Sequence, residues 1–306
     1  MAQDWPRLRV ICVDDRSEDA TYAEAAALAE PRLTLVRGTA LPAGWLGKNH
    51  GNAQGVLHAG DASWLLFTDA DTEHAPAALP SAMAAAQGVD LFTLLTRIRA
   101  ETFWERALMT HVLAAVLGAF PLRKVNDPNS PVAIANGQYL LVRRDVYAQV
   151  GGHAAIRDRV ADDLELARLV KGAGHRIHAA NGRALVSVRM YTSFAEIWWG
   201  FVKNASAGAG GPWKALGGML MIGLSALPFF AAPFLRGELL ALALAGCTVA
   251  LLQRWLIFAV VFPPAAWALS LPLATLCFMG ILMHSAVRQL RGKGPIWKGR
   301  EYPHGR

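Results

Sequence analysis

The apolar positions of residues 1–205 form short runs, and each run ends at polar or charged residues. Runs of four to eight apolar residues are typical of buried strands. The segments "LRVICVDD", "RLTLVRG", "WLLFTDAD" and "NGQYLLVRR" follow this pattern, and helical patterns separate several of them. This alternation predicts an α/β domain over residues 1–205, with a mostly parallel sheet flanked by helices.

Three longer apolar segments follow, at about 216–235, 239–262 and 265–286. A stretch of about 20 uncharged residues is long enough to cross the hydrocarbon layer as a helix. We therefore predict membrane-spanning helices over residues 206–290 and a basic tail over 291–306. Arg254 interrupts the middle segment, where it either snorkels to the interface or faces a protein partner.

Basic residues flank the apolar region on both sides, with Lys214 before it and Lys298 after it. The positive-inside rule places both flanks in the cytoplasm, which three crossings cannot satisfy. We expect an even number of crossings, with the middle segment as the re-entrant or interfacial one.

Composition and charge support a membrane protein. Only 17% of the residues are charged, against roughly 25% in soluble domains. The net charge of +7 lies largely near the apolar segments, so an anionic membrane surface is the expected partner. We find no pattern typical of nucleic-acid binding. The three cysteines, Cys12, Cys247 and Cys277, are scattered and predict neither a disulfide framework nor a metal cluster.

Pairs of carboxylates lie at three predicted element boundaries: Asp14 and Asp15, Asp69 and Asp71, and Asp162 and Asp163. Ligands of open α/β sheets bind beyond the carboxyl ends of strands, and Mg²⁺ prefers carboxylate oxygens. The alternative for each pair is helix capping or interaction with the helix dipole. Because such a pair occurs three times at element boundaries, a ligand-binding site is favoured over capping alone.

A glycine-rich loop, "GWLGKNHG", enters the second predicted helix. Lys48 in this loop lies beside flexible backbone and a helix N-terminus, a combination that suits phosphate. The alternative is a solvated surface lysine.

The order of these motifs, followed by "ADDLELA", "MYTSFAEIWWGFVKN" and "GPIWKGREY", resembles the membrane-bound family 2 glycosyltransferases. It is most similar to the hopene-associated branch and also to carotenoid and ceramide-type lipid glycosyltransferases. The resemblance covers nearly the whole chain. It implies a GT-A nucleotide-sugar-binding domain and an inverting reaction.

The resemblance also implies residue roles. It places Asp15 and Asp14 at the nucleotide, Asp69 and Asp71 on a Mg²⁺ or Mn²⁺ ion at the diphosphate, and Asp163 as the general base beside Asp162, which replaces the usual glutamate. Lys48 is expected to assist the departing diphosphate. The acceptor-binding motif of the family has no clear counterpart, and Trp198, Trp199 and Lys203 occupy the comparable stretch.

One departure concerns the beginning of the fold. The family starts with a strand and a loop reading roughly "P-A-R-N-E", which this sequence does not show. We therefore expect the first strand of the nucleotide pocket to be missing, which puts the activity of this chain in doubt.

The resulting expectation is an inverting transferase that moves a sugar from a nucleotide sugar, a UDP-sugar, to a membrane lipid such as a hopanoid or carotenoid. It predicts an integral protein of the bacterial inner membrane with a cytoplasmic catalytic domain. One alternative is an inactive, truncated, membrane-anchored remnant. The other is a haloacid-dehalogenase-type phosphatase, which expects Thr or Val where this chain has Glu73.

Overall fold

The structure is a computed structural model that describes residues 2–261, 264–293, 296–297 and 300–301. Most of the predicted basic tail, including Lys298, lies outside these residues. The chain divides into two compact units. The first comprises residues up to 99 together with 120–190, and the second comprises 100–119 together with the residues from 191 onward.

The first unit contains nine strands, counted over the described residues. They are β1 (Val10–Asp14), β2 (Leu33–Arg37), β3 (Trp64–Phe67), β4 (Thr72–His74), β5 (Leu91–Leu95), β6 (Arg97–Ile98), β7 (Leu140–Arg143), β8 (Ile177–Asn181) and β9 (Val186–Val188).

Twelve α-helices are described. They are α1 (Thr21–Ala27), α2 (Gly47–Leu57), α3 (Ala78–Ala85), α4 (Thr110–Ala119), α5 (Leu122–Asn126), α6 (Arg144–Gln149), α7 (Gly152–Ala155), α8 (Asp162–Gly172), α9 (Phe194–Ala209), α10 (Pro212–Ala231), α11 (Gly237–Val261) and α12 (Leu271–Leu290). A π-helical turn, Glu105–Met109, precedes α4, and two short β-strands lie at Ile296–Trp297 and Arg300–Glu301.

The strands of the first unit form three sheets. The four-stranded sheet has the order β3-β7-β5-β8, and a three-stranded sheet has the order β4-β9-β6. Strands β1 and β2 form a separate parallel pair. Helices connect many of these strands, so the predicted α/β class is confirmed.

The predicted strand direction needs a correction. In the four-stranded sheet β7 is antiparallel to both β3 and β5, and only β5 and β8 run parallel. The pairing is therefore mixed rather than mostly parallel. An apolar run such as "YLLV" predicts a buried strand, but it carries no information about the direction in which that strand enters the sheet.

The main core of the first unit lies between the four-stranded sheet and helix α8. Leu140 and Val142 of β7 and Leu166 and Val170 of α8 are buried in one cluster. Residues three or four apart share one face of a helix, so α8 presents these side chains to the sheet while its first residues remain at the end of the core. Packing thus fixes where the acids of α8 lie.

The second unit contains the apolar helices. Three helical segments are long and apolar enough to cross a membrane, Pro212–Phe234, Gly237–Phe258 and Ala265–Leu290. They match the three segments that the sequence predicts. The number of true crossings stays a prediction, because length and composition do not show which helices cross.

Helix α9 belongs to the second unit. Its Phe201 ring lies 5.9 Å from that of Phe278 on α12, and its Trp198 indole N–H donates to Nδ1 of His284 at 3.1 Å. The compact units therefore divide at residue 190, whereas the sequence predicts a boundary at 205. The reason is that aromatic residues of α9 pack against α12.

Candidate active site

Three loop-to-element junctions of the first unit meet at one cluster of charges. Asp69 follows β3, Lys48 lies in the first turn of α2, and Asp162 opens α8. The Lys48 Nζ atom lies 2.9 Å from Asp69 Oδ1 and 3.4 Å from Asp162 Oδ1. Asp69 and Asp162, which are far apart in the sequence, thus contact the same ammonium group. The alternative of a solvated surface lysine is therefore wrong for Lys48.

The charges in this cluster act on one another. The Lys48 side chain is 45% exposed, but its ammonium end lies between carboxylates. Desolvation opposes the charged form of Lys48, yet Asp162, Asp69 and Asp163 outweigh it and raise the pKa of the amine. Lys48 is therefore a permanent cation that compensates the carboxylates of two sequence motifs.

Asp163 accepts two backbone hydrogen bonds. The N–H of Gly137 donates to Oδ2 and the N–H of Leu164 donates to Oδ1, each at 2.8 Å. Burial, and then the negative charge of Asp162, raise the pKa of Asp163, although Lys48 and the two N–H donors act in the opposite direction. A raised pKa suits a group that has to take up a proton.

The capping alternative receives little support at α8. The helix is preceded by Ala161, which makes no side-chain cap. Asp162 is directed at Lys48, and Asp163 holds Gly137 of a distant loop. Neither acid therefore acts only on the end of its own helix.

The sequence analysis missed two residues of this cluster, Gly137 and His153. A Cβ atom at position 137 would lie 2.9 Å from Lys48 Nζ and 3.4 Å from Asp163 Oδ2. Glycine thus permits the close approach of backbone to both charged groups. The only sequence signal was a glycine just before the strand "QYLLV".

His153 lies behind the acids. Its Nε2 atom is 3.9 Å from Asp162 Oδ2 and 3.0 Å from Asn52 Nδ2, and its Nδ1 atom is 2.8 Å from the Tyr147 hydroxyl. Burial, and then the charge of Lys48, lower the pKa of His153 to about 3. A neutral imidazole therefore supports Asp162 from behind.

Asn49 connects α2 to the loop before α8. Its Nδ2 atom lies 2.7 Å, 3.2 Å and 2.9 Å from the carbonyl oxygens of Ile156, Arg157 and Arg159. These hydrogen bonds fix the segment that leads into Asp162, and they hold it next to the helix that carries Lys48.

The other candidates lie apart from these contacts. The Ser17 N–H donates to Asp14 Oδ1 at 3.2 Å, so this buried carboxylate stabilises the turn after β1. Asp15 is exposed and lies 3.8 Å from Arg16. Within the described chain, no hydrogen bond or ion pair joins either aspartate to Lys48.

Asp69 and Asp71 are the candidates for metal binding. Asp71 is exposed, whereas Asp69 is paired with Lys48. The residues that the structure describes contain no group of three or more His, Cys, Asp and Glu side chains that could hold a metal ion. Because Mg²⁺ often takes one or two carboxylates and completes its shell with water and substrate phosphates, this pair fits a metal that arrives with a diphosphate.

The predicted acceptor-binding residues lie on α9 in the second unit. The indole N–H of Trp198 is used by His284, and the Trp199 ring lies 5.1 Å from the His284 ring. Lys203 lies one turn after Trp199 on the same helix and is partly buried. An acceptor role for these residues stays a prediction.

Comparison with known proteins addresses the fold and the enzyme class. Residues 1–151 match the family described as Glycosyl transferase family 2. The first half of the chain is therefore similar to a glycosyltransferase family 2 domain. This confirms the predicted enzyme class and gives no support to the phosphatase alternative. The matched residues include Lys48, Asp69 and Asp71, and they end before α8.

Solved structures show weaker similarity to this chain. Glucosyl-3-phosphoglycerate synthase from Mycobacterium tuberculosis, in complex with phosphoglyceric acid, is 18% identical with a TM-score of 0.34, and the match covers 60% of each chain. TarS 1-349 from S. aureus, in complex with UDP-GlcNAc, is 13% identical with a TM-score of 0.43, and the match covers 99% of this chain and 89% of TarS. A comparison with curated proteins gives no match.

Proposed function

We propose that this protein is an inverting, membrane-bound glycosyltransferase that moves a sugar from a UDP-sugar to a membrane lipid. The observation that supports the proposal best is the position of Lys48, whose ammonium pairs with both Asp69 and Asp162. A donor-side carboxylate and the acids of α8 thereby flank one small region. Inverting transfer needs this arrangement, because the leaving group and the acceptor base lie on opposite faces of the sugar.

On the donor side, Asp69 and Asp71 would hold a Mg²⁺ or Mn²⁺ ion together with the donor diphosphate. Such an ion, when bound, supplies charge stabilisation for the departing diphosphate. Lys48 contributes a second, fixed positive charge in the same region. Asp15 and Asp14 are assigned to the nucleotide, because Asp14 is the last residue of β1 and Asp15 directly follows it.

On the acceptor side, Asp163 is the proposed general base and Asp162 its positioned neighbour. The two N–H donors of Gly137 and Leu164 hold the Asp163 carboxylate in one orientation. The carboxylate would accept the proton of a lipid hydroxyl as the new glycosidic bond forms. Trp198, Trp199 and Lys203 remain the proposed acceptor contacts.

The second unit supports the proposed lipid acceptor and the proposed location. Three helices that could cross a membrane suit a substrate that stays in the bilayer. We propose a hopanoid, a carotenoid or a related lipid as acceptor. We place the protein in the bacterial inner membrane, with the catalytic domain in the cytoplasm because basic residues flank the apolar region.

The test is transfer from radiolabelled UDP-sugars to extracted membrane lipids by membranes that contain the full chain. EDTA should abolish transfer, and Mn²⁺ or Mg²⁺ should restore it, because Asp69 and Asp71 need the ion to engage the diphosphate. The Asp69→Asn variant should stay inactive at every metal concentration. Transfer that is unaffected by EDTA would contradict the metal role.

The same assay decides between the enzyme and an inactive remnant. The β1–β2 pair shares no ladder with the other strands of the described chain, and Cys12 in the middle of β1 is exposed. If no UDP-sugar is transferred or bound under any condition, the remnant is the correct interpretation.

A further inference from the structure

His50 is a buried histidine near the start of α2. Only 7% of its surface is exposed, and the Trp45 ring packs edge to face against it with the ring centroids 5.5 Å apart. Its Nδ1 atom lies 3.2 Å from Nε2 of Gln54, one turn later on the same helix. Neither the cluster around Lys48 nor the proposed reaction uses this side chain. The polar ring of His50 therefore needs an explanation of its own.

The contacts of Gln54 determine which nitrogen of His50 carries the proton. Gln54 Oε1 accepts hydrogen bonds from the backbone N–H of Thr39 at 2.8 Å and from the Thr39 hydroxyl at 3.0 Å. A backbone N–H can only donate, so this end of the Gln54 amide has to be the oxygen. The other end, Nε2, then donates to Nδ1 of His50. The imidazole proton accordingly lies on the His50 Nε2 atom.

The Nε2–H group of His50 is a donor that no side chain uses. It makes no hydrogen bond to any residue that the structure describes, yet it keeps surface that is open to solvent. A ligand can therefore reach it. Because Nδ1 already accepts from Gln54, the ring offers such a ligand a donor and no acceptor. The matching group on the ligand is an oxygen acceptor, either a carbonyl or a phosphate oxygen.

The surroundings of His50 lie next to the residues assigned to the nucleotide. Strands β1 and β2 are parallel, so their carboxyl ends lie at one edge, where ligands of open α/β sheets bind. Directly after β2, the N–H of Gly38 donates to the carbonyl oxygen of Asp14 at 2.8 Å. The next residue, Thr39, is the one that Gln54 holds. His50 is thus connected to the end of β1 through one side chain and two loop residues.

The diphosphate is expected at a different face of α2. An α-helix has 3.6 residues per turn, so His50 lies about 200° around the helix axis from Lys48. The Lys48 Nζ atom is 2.9 Å from Asp69 Oδ1, in the region assigned to the diphosphate and its metal ion. The open donor of His50 lies instead beside the β1–β2 pair. A carbonyl oxygen of the base therefore fits this donor better than a phosphate oxygen does.

We propose that His50 recognises the base of the nucleotide sugar, by donating a hydrogen bond from Nε2 to a carbonyl oxygen of uracil. Trp45 holds the ring in place and Gln54 fixes its tautomer, so the protein can only donate at this position. The inference rests on the UDP-sugar donor proposed above. It adds a residue that determines specificity for the base.

The test measures nucleotide binding to the full chain in detergent with Mn²⁺, by isothermal titration calorimetry and without any acceptor lipid. The ligands are UDP, 2-thio-UDP and 4-thio-UDP, in which sulfur, a weaker acceptor, replaces one carbonyl oxygen at a time. The wild-type protein should bind one of the two analogues about five-fold more weakly than UDP, because one hydrogen bond is weakened. His50→Phe keeps a ring against Trp45 but has no donor. It should bind UDP about five-fold more weakly than the wild-type protein and should not distinguish UDP from either analogue.

Two further variants test whether the donor itself matters. His50→Gln can place an amide N–H near the position of Nε2, so it should keep most of the preference for UDP. His58→Phe is the matched control, because His58 is exposed and directly follows α2 at its other end. It should bind all three nucleotides as the wild-type protein does. Equal effects of His50→Phe and His58→Phe would contradict the proposal.

The results separate the base from the diphosphate. If His50→Phe weakens the binding of Mn²⁺-pyrophosphate as much as that of UDP, His50 binds phosphate and the assignment to the base is wrong. Undiminished UDP binding by His50→Phe would contradict this inference alone, whereas a wild-type protein that binds no UDP would contradict the proposed donor and this inference with it. If His50→Phe does not fold, the wild-type protein decides, because equal affinity for UDP and both analogues excludes the contact with a base carbonyl.

Discussion

The two acids that open α8 make different contacts. Asp162 faces Lys48 and His153, whereas Asp163 holds the backbone of Gly137. The sequence could identify the pair but not this difference, because Lys48, Gly137 and His153 come from three distant segments. Contacts of that range depend on the packing of α2 and α8, which no local pattern records.

Asp163→Asn tests the general base. The amide keeps the size of the side chain and removes the proton acceptor, so transfer should fall by about 10²–10⁴-fold. Donor binding should change little, because the proposed donor contacts lie at Asp15 and the metal pair. If Asp163 only stabilised the helix start, the substitution would cost at most about 1 kcal/mol of stability and leave turnover intact.

Two variants serve as controls for this measurement. Asp162→Asn should reduce turnover less, because its neighbour retains the base. Asp158→Asn removes a half-buried acid from the loop before α8, whose carboxylate lies 3.6 Å from Arg159, and should leave turnover unchanged. Near-wild-type turnover of Asp163→Asn in a protein that transfers sugar would end the assignment.

At the scale of elements, apolar patterns predict most of what positions the site. The run "WLLF" forms β3, and "YLLV" forms most of β7, which α6 follows directly. The run "DDLELARLV" forms most of α8, with its acids in the first turn. The apolar pattern could not predict that β7 runs antiparallel to its neighbours in the sheet. Sheet pairing is decided by the connections between strands, and those run through segments with no distinct signal.

Gly137→Ala tests how closely these elements must approach. The added methyl group would meet Lys48 Nζ at 2.9 Å, and a lysine end can move away at small cost to folding. Its displacement would, however, weaken the pairing of Lys48 with Asp69 and Asp162. We expect transfer to fall by roughly ten-fold, with a change in unfolding free energy below about 1 kcal/mol.

Gly51→Ala is the matched control for this variant. Gly51 lies inside α2, and a Cβ atom there meets nothing within 4 Å. Alanine should therefore stabilise the helix by up to about 1 kcal/mol and leave transfer unchanged. Equal rates for Gly137→Ala and Gly51→Ala would show that Lys48 does not need its present position.

At the scale of the whole molecule, the sequence predicted three apolar helices correctly because uncharged length is a direct signal for them. It could not establish how many of them cross the membrane. The basic residues on both flanks favour an even number, and α11, which carries Arg254, is the candidate for the helix that does not cross. Helix length alone is compatible with three crossings.

Cysteine labelling decides the topology. Lys214→Cys and Lys298→Cys are made in a chain that lacks Cys247 and Cys277, and Cys12 is retained because it is exposed in the first unit. All three thiols should react with an impermeant maleimide in inside-out vesicles and remain unlabelled in intact cells, since moving a basic flank across the membrane is unfavourable. Cys12 reports the side of the catalytic domain. Labelling of positions 214 and 298 from opposite sides would establish an odd number of crossings and contradict the even number predicted here.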